Sequence, residues 1–142
     1  MFRYMRDKTM KISQLSEYSG ISAHTLRYYE KAGLFKASGR SANNYRIYNH
    51  DDLLTAKFIK RCKESGFSLQ ETASLLSIKD DKSQHVCAEA KTITSDKIEK
   101  ITEQIKQLRS MLMTLKRLEQ YCCGGDESAE FCSIISTLEQ GE

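Results

Sequence analysis

The sequence predicts a mainly α chain: a small basic unit of short helices with a wing, then one long helix, then a short cysteine-bearing loop. Three observations predict it. Apolar residues recur at three- and four-residue spacings along most of the chain, with a single short stretch of alternation. Proline is absent, so only glycine and polar turn residues break those periods. The charge is also split: the first 63 residues hold 13 Lys+Arg against 5 Asp+Glu, and the remainder 9 against 14, giving +8 in front and −5 behind. A composition of 39% hydrophobic and 29% charged residues is that of a soluble globular chain. No run approaches the ~20 apolar residues of a membrane span and nothing resembles a secretory signal, so a cytoplasmic protein with no membrane partner is expected.

The elements follow in order. Residues 1–9 carry mixed charge without a helical period and read as an arm, with Met10 an alternative start to Met1. Ile12 and Leu15, then Ile21 and Leu26 beyond Gly20, give two short helices at residues 13–18 and 22–32, with Ser13 and Ser22 as N-cap candidates and Gly33 as a stop. Residues 36–44 are rich in Ser, Gly and Asn. The alternation of Tyr45 and Ile47 with Arg46 and Tyr48 then predicts a short strand, hence a wing. Asn49-His50-Asp51 opens a helix with Leu53, Leu54, Phe58 and Ile59 on its apolar face, closed by Gly66. Ser68 caps the next, which carries Leu69, Thr72, Leu75 and Leu76. These elements make residues 10–78 a winged helix-turn-helix domain.

Beyond the breaker at residues 79–84, a helix beginning near Cys87 carries Ile98, Ile101, Ile105, Leu108, Leu112 and Leu115 in a coiled-coil seam. A single helix cannot bury its own seam, so the seam predicts a homodimer, antiparallel or parallel. From residue 88 to 120 such a helix extends about 50 Å at 1.5 Å per residue. Residues 79–120 are therefore read as hinge and dimerisation helix. Gly124-Gly125 stops the helix, and residues 121–142 form an acidic loop with a last helical turn at residues 133–138.

The basic unit points to double-stranded DNA. The second helix of a helix-turn-helix enters the major groove, and His24, Arg27 and Tyr28 share one face of it. Arg27 suits a phosphate or a guanine edge, and Tyr28 suits a phosphate. Arg40, Tyr45 and Arg46 on the wing, with Lys60 and Lys63 on the following helix, extend the face. For any one of these, a solvated surface side chain is the plain alternative; their coincidence with the charge split outweighs it.

The runs Ile12-Ser13-x-Leu15, Thr25-Leu26-Arg27-Tyr28-Tyr29-Glu30, Gly33-Leu34, Asn44-Tyr45-Arg46-Ile47-Tyr48 and Gly66-Phe67-Ser68-Leu69 resemble the DNA-binding domain of the MerR family, from Met10 to about Ile78. Two departures are visible. Ala23 stands where many members have proline, and Asn44 replaces the usual wing glycine; asparagine tolerates positive φ, so the turn is expected to survive. The resemblance implies that Arg27, Tyr28, Arg40, Tyr45, Arg46, Lys60 and Lys63 contact DNA, mainly its backbone.

The five cysteines, with no export signal, are expected to be reduced. Cys122-Cys123-Gly124-Gly125 with Cys132 forms a loop able to wrap a small cation, and thiolates favour Zn, Cd, Pb, Hg or Cu(I). Buried small hydrophobes are the plain alternative. Cys87 stands at the far end of the long helix and cannot reach its own loop. In an antiparallel dimer it would complete the partner's site, and the expected fold class is a winged helix-turn-helix domain, a long antiparallel coiled-coil dimerisation helix and a short C-terminal metal-binding loop. Cys62 is read as a buried structural thiol.

The same cysteines, with Gln84-His85-x-Cys87-x-Glu89-x-Lys91, Phe131-Cys132-Ser133-Ile134 and Leu138-Glu139-Gln140-Gly141, are similar to zinc-responsive members of the MerR family. That likeness implies Cys87, Cys122, Cys123 and Cys132 as ligands, and a divalent ion, because copper(I)-sensing relatives lack the cysteine at position 87. Where those members place a histidine after the paired cysteines this chain has Glu127, which also suits zinc and raises the claim of Cd(II) or Pb(II); His85 is a further candidate ligand. The resemblance further implies a regulator that stays on promoter DNA and, on binding Zn(II), distorts it so that RNA polymerase can use an over-long spacer, activating metal-efflux or detoxification genes. The alternatives are a Cd(II)/Pb(II) regulator, a cysteine-based redox sensor, a cysteine enzyme, a metal buffer and a drug-sensing relative. An enzyme would need a base among only His24, His50 and His85, a buffer would not need the basic front, and drug sensors carry a larger domain after the helix. The expectation is therefore a regulator and not an enzyme.

Overall fold

A computed structural model describes residues 8–141. In chain order the elements are α1 (Ile12–Ser19), α2 (Ala23–Lys31), β1 (Gly39–Arg40), β2 (Arg46–Ile47), α3 (His50–Glu64), α4 (Leu69–Asp80), a 3-10 turn (Lys82–Gln84), α5 (Cys87–Gln120), a second 3-10 turn (Ala129–Phe131) and α6 (Ser133–Gln140). The molecule is mainly α, an N-terminal winged helix-turn-helix followed by one long helix. The chain divides into two compact units, residues 1–93 and 94–142, with the division inside α5. Among the described residues, no helix is long and apolar enough to cross a membrane.

Local chemistry explains the first unit. The backbone N–H of Lys11 donates to Gln14 Oε1 (3.0 Å), so α1 starts one residue before the expected Ser13 cap. Gly20 sits at φ 72° with its N–H on the Ser16 carbonyl (2.9 Å), and the Ser16 hydroxyl donates to the Ile21 carbonyl (2.6 Å), which makes the turn between α1 and α2 tight. Ser22 caps α2 by accepting from the Thr25 N–H (3.1 Å). Asn49 with Asp52 and Ser68 with Glu71 form reciprocal capping boxes on α3 and α4. The wing is antiparallel, Gly39 opposite Ile47 and Arg40 opposite Arg46, shorter than the alternation suggested.

The apolar core lies in this unit. Leu15, Ile21, Leu26, Tyr29, Phe35, Tyr48, Leu53, Ala56, Ile59 and Leu76 pack together, with the Phe35 and Tyr48 ring centroids 6.1 Å apart. Leu54, expected on the buried face of α3, is exposed instead: it adjoins Leu53 on the helix, and Leu53, Ala56, Ile59 and Cys62 are the buried residues there. Met10 and Tyr48 exchange both backbone hydrogen bonds (2.7 and 2.8 Å) and so tie the entry to α1 onto the end of the wing.

The second unit has a different character. No described residue from 94 to 141 is buried. The seam residues Ile98, Leu108 and Leu115 are 61%, 63% and 61% exposed on a helix of 34 residues, an apolar stripe that no described residue buries. The last helix runs two residues further than expected, to Gln140.

Candidate nucleic-acid interface and metal centre

The basic face is built on α2 and the wing. Leu26 and Tyr29 anchor α2 in the core, which leaves His24, Arg27 and Tyr28 on its exposed side. Arg27, Arg40, Tyr45 and Arg46 line one open cleft of about 430 Å³, together with Lys11, Ser13 and Asn44. Arg40 Nη1 donates to the Asn44 carbonyl (3.1 Å), closing the wing turn, and Asn44 takes φ 64°, the left-handed conformation a glycine would supply. The turn survives the replacement of glycine as expected.

Other expected contacts lie elsewhere. His24, Tyr28, Lys60 and Lys63 are not among the residues lining the cleft. Lys63 Nζ donates to the Phe67 carbonyl (2.9 Å), a structural tie between α3 and the turn that follows it, and Lys60 Nζ stands 3.7 Å from Glu64 Oε1. Arg46 Nη1 stands 2.9 Å from Glu30 Oε2, while Glu30 Oε1 accepts from the Ala37 N–H (3.0 Å). Tyr48 is fully buried beside these groups; burial first, and the Glu30 charge second, push its phenol above the usual range. Lys11 and Glu30 are the residues that sequence reasoning passed over. Lys11 reaches the cleft through the Met10–Tyr48 bridge, which no local pattern announces. Glu30 had a signal, a carboxylate closing the Arg-Tyr-Tyr-Glu run of an otherwise basic segment.

The loop after α5 brings two thiols together. Cys122 and Cys132 Sγ are 4.0 Å apart, and Gly124, at φ 74°, donates its N–H toward Cys122 Sγ (3.4 Å). Cys122, Cys123, Glu127 and Cys132 share the walls of one cleft of about 260 Å³. Cys132 is the N-cap of α6, and the N–H groups of Ile135 and Ile134, with a smaller contribution from Cys122, hold its thiol below the usual range. Tetrahedral zinc with Zn–S bonds of about 2.3 Å places neighbouring sulfurs about 3.8 Å apart, so the Cys122–Cys132 spacing fits one edge of such a site. Among the described residues no three His, Cys, Asp or Glu side chains converge into a complete site.

Cys87 is exposed at the first turn of α5. His85 is engaged locally: its Nδ1 is 3.0 Å from Glu89 Oε1, and Glu89 also accepts from the Val86 N–H (2.7 Å). Those two contacts, His85 first, hold the Glu89 carboxyl below its usual range. Cys62 is buried, and burial raises its thiol pKa.

Comparison with known proteins adds to this geometry. The family described as MerR HTH family regulatory protein matches residues 10–78, and the family described as MerR, DNA binding matches residues 54–118. The chain is 37% identical over 131 residues to the HTH-type transcriptional regulator ZntR of Escherichia coli K12, covering 92% of this chain and 93% of the relative. The crystal structure of the transcription regulator PbrR691 from Ralstonia metallidurans CH34 in complex with lead(II) matches with a TM-score of 0.81 at 28% identity, over 91% of this chain and 98% of that one. HiNmlR, a MerR family regulator solved bound to promoter DNA, matches with a TM-score of 0.51 at 27% identity, over 80% of this chain and 86% of that one.

Proposed function

The chain belongs to the MerR family of helix-turn-helix transcriptional regulators, and on that premise we propose that it is a Zn(II)-responsive activator of metal-efflux or detoxification genes. It binds promoter DNA as a homodimer. The observation that carries the metal reading is the Cys122–Cys132 pair, 4.0 Å apart in a loop whose cleft Cys123 and Glu127 also line.

At the DNA, α2 lies in the major groove with Arg27 and Tyr28 against phosphates or base edges, and Arg40, Tyr45 and Arg46 of the wing grip the backbone. Lys60 and Lys63 contribute positive field from α3, since each already holds an intrachain partner. The seam of α5 pairs with the same seam of a second copy, antiparallel. Cys122, Cys123, Cys132 and Glu127 would then hold the ion from one copy and Cys87 from the other, with His85 beside Cys87 as a reserve donor. A bound divalent ion supplies a cross-link between groups drawn from two chains. The residues' own part is to present thiolates: the α6 N-terminus keeps Cys132 ready to deprotonate. A dimer so tightened changes the spacing of the two DNA-binding units and distorts the promoter, which RNA polymerase reads.

The structural likeness to PbrR691, solved with lead(II), supports a second reading with Cd(II) or Pb(II) as the effector. A competitive titration followed by thiolate absorption, with Zn, Cd, Pb and Cu(I), decides between them. Zinc binding and driving transcription from the cognate promoter is the expected result. Selective activation by cadmium or lead establishes the second reading, and activation by none of the ions removes both.

A further inference from the structure

We propose that Glu30 is a positioning residue of the DNA interface, tying α2 to the wing and holding the Arg46 guanidinium at the cleft. The proposal rests on the DNA-binding reading above. Glu30 lies one turn beyond Arg27 on α2, and its two oxygens are used in different directions. Oε1 accepts from the Ala37 N–H (3.0 Å), which fixes the segment leading into β1; Oε2 meets Arg46 Nη1 on β2 (2.9 Å). The Glu30 side chain is only 13% exposed, against 46% for Arg46. A carboxylate so far from water needs a partner, which sets this pair apart from ordinary surface ion pairs. Arg27, Glu30, Lys31 and Arg46 line one shallow hollow, so the pair sits where the recognition helix meets the wing.

Two opposite effects on DNA follow from a carboxylate here, and their signs differ. A negative charge among phosphate-binding groups repels DNA. Against that, arginine is a long, flexible side chain, and holding it in one geometry before DNA arrives removes an ordering cost from binding. The contact is an ion pair without hydrogen-bond alignment, so the guanidinium N–H donors stay available for phosphate. Because Arg46 and the Ala37 N–H already offset the carboxylate's charge, the repulsion is small and the ordering effect prevails. Removing the charge should therefore weaken DNA binding even though the chain becomes more positive.

The test uses the full chain and a duplex that the wild-type protein selects from a randomised pool, with affinity read by fluorescence anisotropy across a salt series. Glu30→Gln should bind about tenfold more weakly, the scale of one partly buried ion pair lost from the interface. Its salt dependence should flatten by about one phosphate contact. Adding Glu30→Gln to Arg46→Ala should cause no further loss, because both act through the same guanidinium. Glu30→Asp keeps the charge but is too short to reach both partners, and should lose affinity similarly; it decides the matter if circular dichroism shows Glu30→Gln unfolded. Equal or tighter binding by a folded Glu30 variant, or an undiminished loss in the Arg46→Ala background, overturns the positioning role. Failure of the wild-type chain to select any duplex instead removes the DNA-binding reading itself.

Discussion

Among the residues, Arg27 and the cysteines are the ones expected to separate DNA binding from metal binding. Arg27 lines the basic cleft and touches no thiol, so Arg27→Ala should weaken operator binding strongly while metal affinity stays unchanged. Full operator affinity in a gel shift at moderate salt would contradict the role of α2. The thiols differ in the opposite manner. The α6 N-terminus lowers the Cys132 pKa, whereas burial raises that of Cys62. At neutral pH without metal, iodoacetamide should modify Cys132 early and Cys62 last, a ranking that peptide mass spectrometry reads directly. The linkage sign for Cys62 is equally definite. Its folded pKa lies above the unfolded one, so its contribution to stability is full below the unfolded thiol's pKa and is lost as pH rises through the folded value. Alkaline pH, not acid, should therefore open the Cys62 site to alkylation.

Each element of the first unit carries its own stabilising device: a serine cap on α2, capping boxes on α3 and α4, a glycine at positive φ between α1 and α2. α5 has none that hides its seam. Helices gain most of their stability from packing an apolar face, and here most of that face is exposed among the described residues. Replacing Leu108 or Leu112 with Ala in the full-length protein should weaken dimerisation, with a cost of ~2–5 kcal/mol for each side chain that is fully packed in the dimer. Sedimentation equilibrium over a concentration series measures it. A wild-type chain that stays monomeric at micromolar concentration would refute the pairing of the seam.

For the whole molecule the decisive question is whether one metal site draws on two chains. Cys87 opens α5 and the other candidate thiols lie beyond its end, with 34 helical residues uninterrupted by proline or glycine from Cys87 to Gln120. A Cys87→Ser subunit and a Cys122→Ser/Cys123→Ser/Cys132→Ser subunit should each form a homodimer that binds no zinc tightly. Their heterodimer should bind one ion if the site is shared, because an antiparallel pairing would bring the intact loop of one chain to the intact Cys87 of the other. Zinc retained by the Cys87→Ser homodimer would show that Cys87 is no ligand. A heterodimer without zinc would rule out the shared site.

Helix content, the caps of α2, α3 and α4, the wing turn and the seam were legible in the sequence because each depends on residues within a turn or two of one another, whereas the Ser13 cap expected for α1 gave way to Lys11. Ser22, Asn49 and Ser68 announce helix starts by chemistry alone, and Asn44 announces its left-handed turn. The cysteine loop was legible as a cluster for the same reason. Contacts between residues distant in the chain were not: the Met10–Tyr48 bridge that carries Lys11 to the cleft, the Glu30–Arg46 pair, and the commitment of Lys63 to the Phe67 carbonyl. Leu54 shows the same limit, since periodicity marks a broad apolar face and only packing decides which of two neighbours is buried. Sequence alone thus determined which groups this protein carries and on which elements. Tertiary structure decided which of those groups meet, because long-range proximity is set by the packing of the whole core and leaves no periodic trace in the chain.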